Sequence, residues 1–189
     1  MTRVLGSHPL VHTLTWESRF LVDPGGFEDL ARALTSAYTP YHAADALERL
    51  SRLFGERLTG HSVEAFRGWG LADELGHGKY FGALEELWDR LAWYEFTERV
   101  PTFGYRQGAT QQQPHEPRGR RRVVGRYFPD RSDLIQVLRS FTDGLFTSAA
   151  TDAGKQTWGE KTPFNLLSAD FLWELFPRGP HCRDGATPA

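Results

Sequence analysis

Trp158-Gly159-Glu160-Lys161-Thr162-Pro163-Phe164-Asn165 is the stretch on which the reading of this chain turns. A tryptophan edge runs into a single lysine, and a proline then opens an amphipathic run through Phe171, Leu172, Leu175 and Phe176. The order predicts a strand, a cationic turn and a helix. Proline suits the first helical turn, where its missing N–H would have no partner anyway, and Thr162 before it is a candidate N-cap. Lys161 then lies close to the free N–H groups of a helix start, a place that favours negative charge. A phosphate or sulfate site is one reading of that arrangement, and a solvated loop lysine is the plainer one. Gly154 and Gly159 have the spacing of a phosphate loop, but such a loop carries its lysine directly after the second glycine. Glu160 intervenes here, and a carboxylate at that point repels phosphate, so this is not a Walker A sequence.

Upstream of this stretch, Leu134, Leu138, Phe141 and Leu145 recur at helical spacing. Residues 101–128 lose all periodicity and are rich in Gly, Pro, Gln and Arg, which predicts a long mobile loop or insertion. Phe81, Leu84, Trp88 and Leu91 form a broad apolar helical stripe, and a shorter helix is expected from Ser62 to Leu71. Thr39-Pro40 reads as a cap and first-turn pair, with Ala44, Leu47, Leu50 and Phe54 on one face behind it. Phe27, Leu30, Ala31 and Leu34 give a further helix, entered through the turn Asp23-Pro24-Gly25-Gly26. Thr13 to Leu21 supplies a short strand. Residues 179–189 carry no pattern and are expected to form a disordered tail. The sum is roughly six helices and only two short strands.

The 189 residues suffice for one domain with a substantial core, and 13 Phe and 6 Trp make that core aromatic. A formal charge of -2 gives no global drive toward nucleic acid or an anionic membrane. Cys182 is the sole cysteine, which excludes an intrachain disulfide and a cysteine-based metal cluster. No stretch is apolar for long enough to span a bilayer, and the first residues do not lead into a signal-peptide core, so a soluble, cytoplasmic protein is expected.

Two segments taken together resemble the sulfotransferase family, in the broad branch that includes tyrosylprotein sulfotransferases and many bacterial enzymes. One is His8-Pro9, followed by Trp16-Glu17-Ser18-Arg19-Phe20. The other is Gly159-Glu160-Lys161-Thr162-Pro163, followed by Phe171-Leu172, Leu175 and Phe176-Pro177. In that family a His-Pro pair ends the first helix, a Glu-x-Arg segment follows, and a Lys-x-Pro turn precedes a helix that ends in Phe-Pro. The resemblance implies an α/β fold of the P-loop-nucleotide-transferase type, represented here by a mostly helical chain with few short strands.

The resemblance also implies an activity: transfer of a sulfuryl group from 3′-phosphoadenosine 5′-phosphosulfate to a hydroxyl or amine. The acceptor must lose a proton as it attacks, which calls for a positioned base, and charge grows on the leaving phosphate oxygen, which calls for a fixed cation. By resemblance Glu17 is the catalytic base, Arg19 binds the substrate, and Lys161 stabilises the leaving group and touches the cofactor. Arg183, in Arg183-Asp184-Gly185, matches the remnant of a downstream Arg-Asp-x-Arg segment that holds the cofactor. The acceptor would be a small molecule, a carbohydrate or a lipid, without nucleic acid and without a membrane span. The glycine-rich phosphosulfate loop with which the family opens has no counterpart in Met1 to Gly6, and no apolar strand follows Phe176-Pro177. Residues 1–189 are therefore expected to be a single partial domain, truncated at both ends, whose activity as written is in question.

Other readings compete for the same residues. Glu17 and Arg19 could simply form an ion pair on one face of a strand. Arg118, Arg120, Arg121, Arg122 and Arg126 could grip an anion but are more simply a solvated loop. Tyr38, Tyr41, Tyr80, Trp88 and Trp93 could line an acceptor pocket or belong to the core. Among the seven histidines only His8 and His12 are close in sequence, without a third ligand nearby. No local nucleophile motif supports a hydrolase. A nucleotide kinase lacks the hydroxyl residue that would follow a phosphate-loop lysine. A non-catalytic helical chain that associates through exposed apolar surface is the rival of a different class.

Overall fold

In chain order the computed structural model runs β1 (Val11–Thr13), α1 (Phe27–Leu34), α2 (Pro40–Arg52), a π-turn (Leu53–Arg57), α3 (Leu71–Leu75) and α4 (His77–Leu91). It continues with β2 (Ala92–Arg99), β3 (Gly119–Gly125), α5 (Arg131–Asp152), β4 (Thr157–Gly159), a 3₁₀ turn (Pro163–Ser168) and α6 (Ala169–Leu175). It describes residues 6–15, 17–57, 70–99 and 119–177. Helix and strand are mixed, with helix dominant. Among the described residues β1 pairs with β4 in parallel and β2 with β3 antiparallel.

Helix α5 is the axis of the fold. Its 22 residues span about 33 Å, and its buried face carries Leu134, Leu138, Phe141 and Leu145, as the spacing predicts, together with Phe146. Asp130 caps it, accepting the Ser132 N–H at 2.8 Å. Around Phe141 the aromatic core closes: Phe20, Phe27 and Phe54 lie 5.9, 5.8 and 5.7 Å from its ring. Phe146 meets Trp158 edge-on at 4.9 Å, and Trp158 meets Phe176 at 5.7 Å. Tyr80 is buried too, its hydroxyl donating to the Phe54 carbonyl at 3.2 Å, and burial raises its phenol above the ordinary value.

Several expectations hold. Thr39 caps α2 through the His42 N–H at 3.1 Å, with Pro40 opening the helix and Ala44, Leu47, Leu50 and Phe54 buried behind it. The Asp23–Gly26 turn closes with a 2.7 Å bond from the Gly26 N–H to the Asp23 carbonyl, and Gly25 at φ 85° supplies the left-handed position. Gly26 is needed for another reason, since a Cβ there would stand 2.4 Å from the Phe20 carbonyl oxygen.

Other expectations are corrected. The first strand is Val11–Thr13 rather than Thr13 to Leu21, because the chain must turn inward after Ser18 to bury Phe20 and Leu21. Residues 101–128 are not one loop. Gly119–Gly125 is a strand whose Val124 enters the core, paired with the aromatic strand Ala92–Arg99. Of the arginines there Arg122 departs from a solvated run, since it is buried and pairs with Asp45 of α2; Arg121 stays exposed and pairs with Glu95 across the hairpin at 2.5 Å. On α4 the buried positions are Tyr80, Leu87 and Leu91, with Phe81 turned outward. The helix expected at Ser62 to Leu71 lies outside the described residues up to 69, and α3 begins at Leu71. The expected tail at 179–189 lies outside them entirely.

Candidate functional site

Parallel pairing of β1 with β4 sets Val11 against Thr157, His12 against Trp158 and Thr13 against Gly159. The Leu10 carbonyl accepts from the N–H groups of Gln156 and Thr157 at 2.9 and 3.1 Å, and Lys155 Nζ donates to the Pro9 carbonyl at 3.1 Å. The two segments that carry the family resemblance, far apart in sequence, thus lie side by side. Gly159 belongs to β4 and Gly154 to the turn that leaves α5, so they form no phosphate loop.

Glu160 is the joint between the two segments. One carboxylate oxygen accepts the Ser18 N–H at 3.1 Å and also the Thr162 hydroxyl, and the other accepts Asn165 Nδ2 at 2.7 Å. Ser18 lies between Glu17 and Arg19, so this bond holds the Glu17–Arg19 segment against the turn that carries Lys161. Thr162 is not the expected side-chain N-cap: its hydroxyl donates to Glu160 and accepts from no backbone N–H of the turn. The helix after Lys161 is also corrected: Pro163–Ser168 is a 3₁₀ turn, closed at its start by the Asn165 N–H to the Thr162 carbonyl at 3.0 Å, and α6 begins only at Ala169. The Asn165 side chain, turned back to Glu160, competes with a regular first turn.

Arg19 occupies an unusual backbone position. Its φ is 51°, and the Phe20 N–H reaches back to the Ser18 carbonyl at 2.5 Å, closing a tight three-residue turn. A non-glycine residue held there stores on the order of 1–3 kcal/mol of strain, of the kind that clusters at functional sites. The turn is fixed from one side by Ser18 on Glu160 and from the other by Arg19 Nε on the buried Asp23 carboxylate at 2.8 Å. Glu17 is half-buried, lies outside any strand, and is not the partner of Arg19, so the strand ion-pair alternative fails. Trp16 and Arg183 lie outside the described residues. Lys161 is exposed and bonds to none of the described residues.

His12 Nε2, Ser18 Oγ and Asn165 Oδ1 are buried without a hydrogen-bond partner among the described residues. All three lie on β1, on the Ser18 turn or on the 3₁₀ turn, and buried polar atoms without partners are rare, which singles out this part of the fold. Asp143, on α5 near Trp158, has its carboxyl raised by burial, against the lowering effects of the Arg139 charge and a hydrogen bond from the Trp158 side chain. A groove of about 450 Å³ between α4 and α5, lined by Gly82, Leu87, Phe141 and Gly144 among others, shares no residue with this site. No group of three or more His, Cys, Asp or Glu able to hold a metal occurs among the described residues, and no described helix is long and apolar enough to cross a membrane.

Comparison with known proteins adds one partial likeness. The chain is 39% identical over 54 residues to nodulation protein NoeE of Sinorhizobium fredii (strain NBRC 101917 / NGR234). That stretch is 29% of this chain and 13% of the nodulation protein, so the chain spans only a small part of its relative. No family model and no solved structure matches.

Sequence reasoning named Glu17, Arg19 and Lys161 but missed Ser18, Glu160 and Asn165, whose hydrogen bonds join the segments that carry them. Glu160 was legible only as a charge beside Lys161, since its main partner is 142 positions away.

Proposed function

We propose that this chain is a sulfotransferase-like protein of P-loop-nucleotide-transferase type, which transfers a sulfuryl group from 3′-phosphoadenosine 5′-phosphosulfate to a hydroxyl or amine. The observation that carries the reading is the Glu160–Ser18 bond, which joins a Glu-x-Arg segment to a Lys-x-Pro turn. Partial likeness to a nodulation protein and the unpartnered polar atoms around the joint add support.

The described residues fit the reacting end of such a donor: an exposed lysine, a buried serine hydroxyl with no partner, and a half-buried carboxylate two residues before a strained arginine. When bound, the donor supplies the sulfuryl group in activated form, with a bisphosphate as leaving group. Glu17 takes the proton from the acceptor hydroxyl or amine. Lys161 offsets the charge that grows on the departing oxygen. Arg19, braced on Asp23, orients the acceptor, and Arg183 would add a contact to the cofactor.

Differential scanning fluorimetry with adenosine 3′,5′-bisphosphate tests this reading. A ligand that binds only the folded state at about 100 times its Kd adds about 2.7 kcal/mol, so the melting temperature of the wild type rises. Lys161→Ala abolishes that rise without lowering the ligand-free melting temperature, and Glu17→Gln preserves it while slowing transfer of labelled sulfate. A wild type that bisphosphate leaves unshifted rejects the proposal. It would favour instead a non-catalytic interaction module, the reading supported by Leu166, Leu167 and Trp173, which are exposed on the 3₁₀ turn and α6.

A further inference from the structure

Six aromatic side chains from four segments meet along the β2–β3 hairpin: Tyr38, Tyr41, Trp93, Tyr94, Phe96 and Tyr127. Tyr38 and Tyr127 pack at 4.9 Å, Tyr41 and Phe96 edge-on at 6.1 Å, Phe96 and Tyr94 at 6.4 Å, and Tyr94 and Trp93 edge-on at 5.1 Å. Burial, and next the charge of Tyr94, raises the Tyr38 phenol. Ring packing that served only the core would hide these rings. Tyr41 and Trp93 instead remain 61% and 62% exposed, and Tyr94 and Tyr127 are exposed beside them.

The exposure of Trp93 is built into the strand. Ala92 pairs with Gly125 and Tyr94 with Val124, so Trp93 is an extra residue bulged out of the ladder. A bulge of this kind re-aims a side chain, and bulges are frequent beside binding sites. The ladder gains nothing from it, because it leaves Trp93 unpaired.

Chemistry narrows the partner. The rings are tyrosine-rich, and the hydroxyls of Tyr41, Tyr94 and Tyr127 bond to none of the described residues, so the surface offers ring faces together with polar groups. Of the arginines in or next to the hairpin whose side chains are described, the exposed Arg121 pairs with Glu95 and the buried Arg122 with Asp45, leaving Arg126 exposed without an ion pair to the described residues. A nucleic acid would require a run of cations left available for phosphate, which one such arginine does not supply. A purely apolar partner would leave the tyrosine hydroxyls without partners when it covered them. A pyranose with equatorial hydroxyls matches both demands, since its axial C–H groups form a flat face with positive polarity while its rim carries hydroxyls.

From the bulge and the converging rings we infer that this hairpin face binds a neutral oligosaccharide, with sugar rings stacked on Trp93 and Tyr41. The inference does not rest on sulfuryl transfer and would hold equally for a non-catalytic chain. The test titrates the full chain with neutral β1,4-linked hexasaccharides of glucose, mannose and xylose, followed by saturation-transfer NMR and calorimetry, with oligo-dT as comparison. At least one hexasaccharide binds at millimolar concentration or below. Trp93→Ala and Tyr41→Ala each weaken it about threefold to tenfold, the range of ring-stacking energies, and leave the melting temperature and bisphosphate response unchanged. Tyr41→Phe, which keeps the ring, retains most of the binding. Absence of binding by all three sugars overturns the inference. So does equal binding by Trp93→Ala, or binding of oligo-dT in preference to the sugars.

Discussion

Replacing Glu160 with alanine removes the joint between the Ser18 turn and the Lys161 turn. Three donors lose an acceptor at once: the Ser18 N–H, the Thr162 hydroxyl and the Asn165 amide. Asn165 is half-buried and its amide can find water in part, but Thr162 and Ser18 are both buried. A buried donor left without a partner costs about 1–3 kcal/mol, and a bond to a charged acceptor contributes about 1.5–3 kcal/mol net. Because the three share one carboxylate they do not add in full, and a loss of about 2–4 kcal/mol follows. Glu160→Gln is the informative comparison. Its carbonyl can still take the Ser18 N–H, while its NH₂ group faces the Asn165 NH₂ until that amide rotates and presents its unpartnered oxygen. Glutamine should therefore lose only about 1 kcal/mol. Urea unfolding of both variants reads the difference as a lower midpoint at unchanged slope. The reasoning is refuted if alanine and glutamine unfold at the same midpoint, or if alanine matches the wild type.

Three further predictions test other parts of the fold. Gly26→Ala drives a methyl group to 2.4 Å from the Phe20 carbonyl and should cost about 1–3 kcal/mol by overpacking; Gly82→Ala, open on all sides within α4, should be neutral or stabilising in the same thermal melts. The Asp143 carboxyl is raised by burial, so the folded state binds the proton more tightly and stability falls as pH rises from the ordinary carboxylate value through the raised one. Asp143→Asn should match the wild type below that window and exceed it above, and equal melting temperatures at neutral pH would contradict this. Arg139 holds the last carbonyls of α6, at 2.5 Å to Leu175 and 3.1 Å to Glu174; Arg139→Met should speed hydrogen exchange across Ala169–Phe176 about tenfold, and unchanged exchange there would show that Arg131 on Glu174 suffices.

Helical periodicity, caps and tight turns were legible in the sequence because their causes are local. Phe27 to Leu34, Thr39-Pro40 and the Leu134 to Leu145 run each declare a face or an end within a few residues, and Asp23 to Gly26 declares its turn. The β2–β3 hairpin was not legible. Its second strand begins Gly119-Arg120-Arg121-Arg122, which reads as a solvated charge run, and it is Asp45 of a distant helix that supplies the charge letting Arg122 lie buried in a packed strand.

The candidate site divides in the same way. Sequence alone determined which residue types were available: a carboxylate at Glu17, an arginine at Arg19 and a lysine at Lys161 before a proline. That the segments carrying them lie side by side was decided by tertiary structure, through the pairing of β1 with β4 and the Glu160–Ser18 bond. Glu160 reads locally as a charge that repels anions and acts in the fold as an acceptor for three donors. Its neighbours in sequence specify its charge, but the buried N–H it satisfies comes from the other end of the chain, and no local pattern encodes that distance.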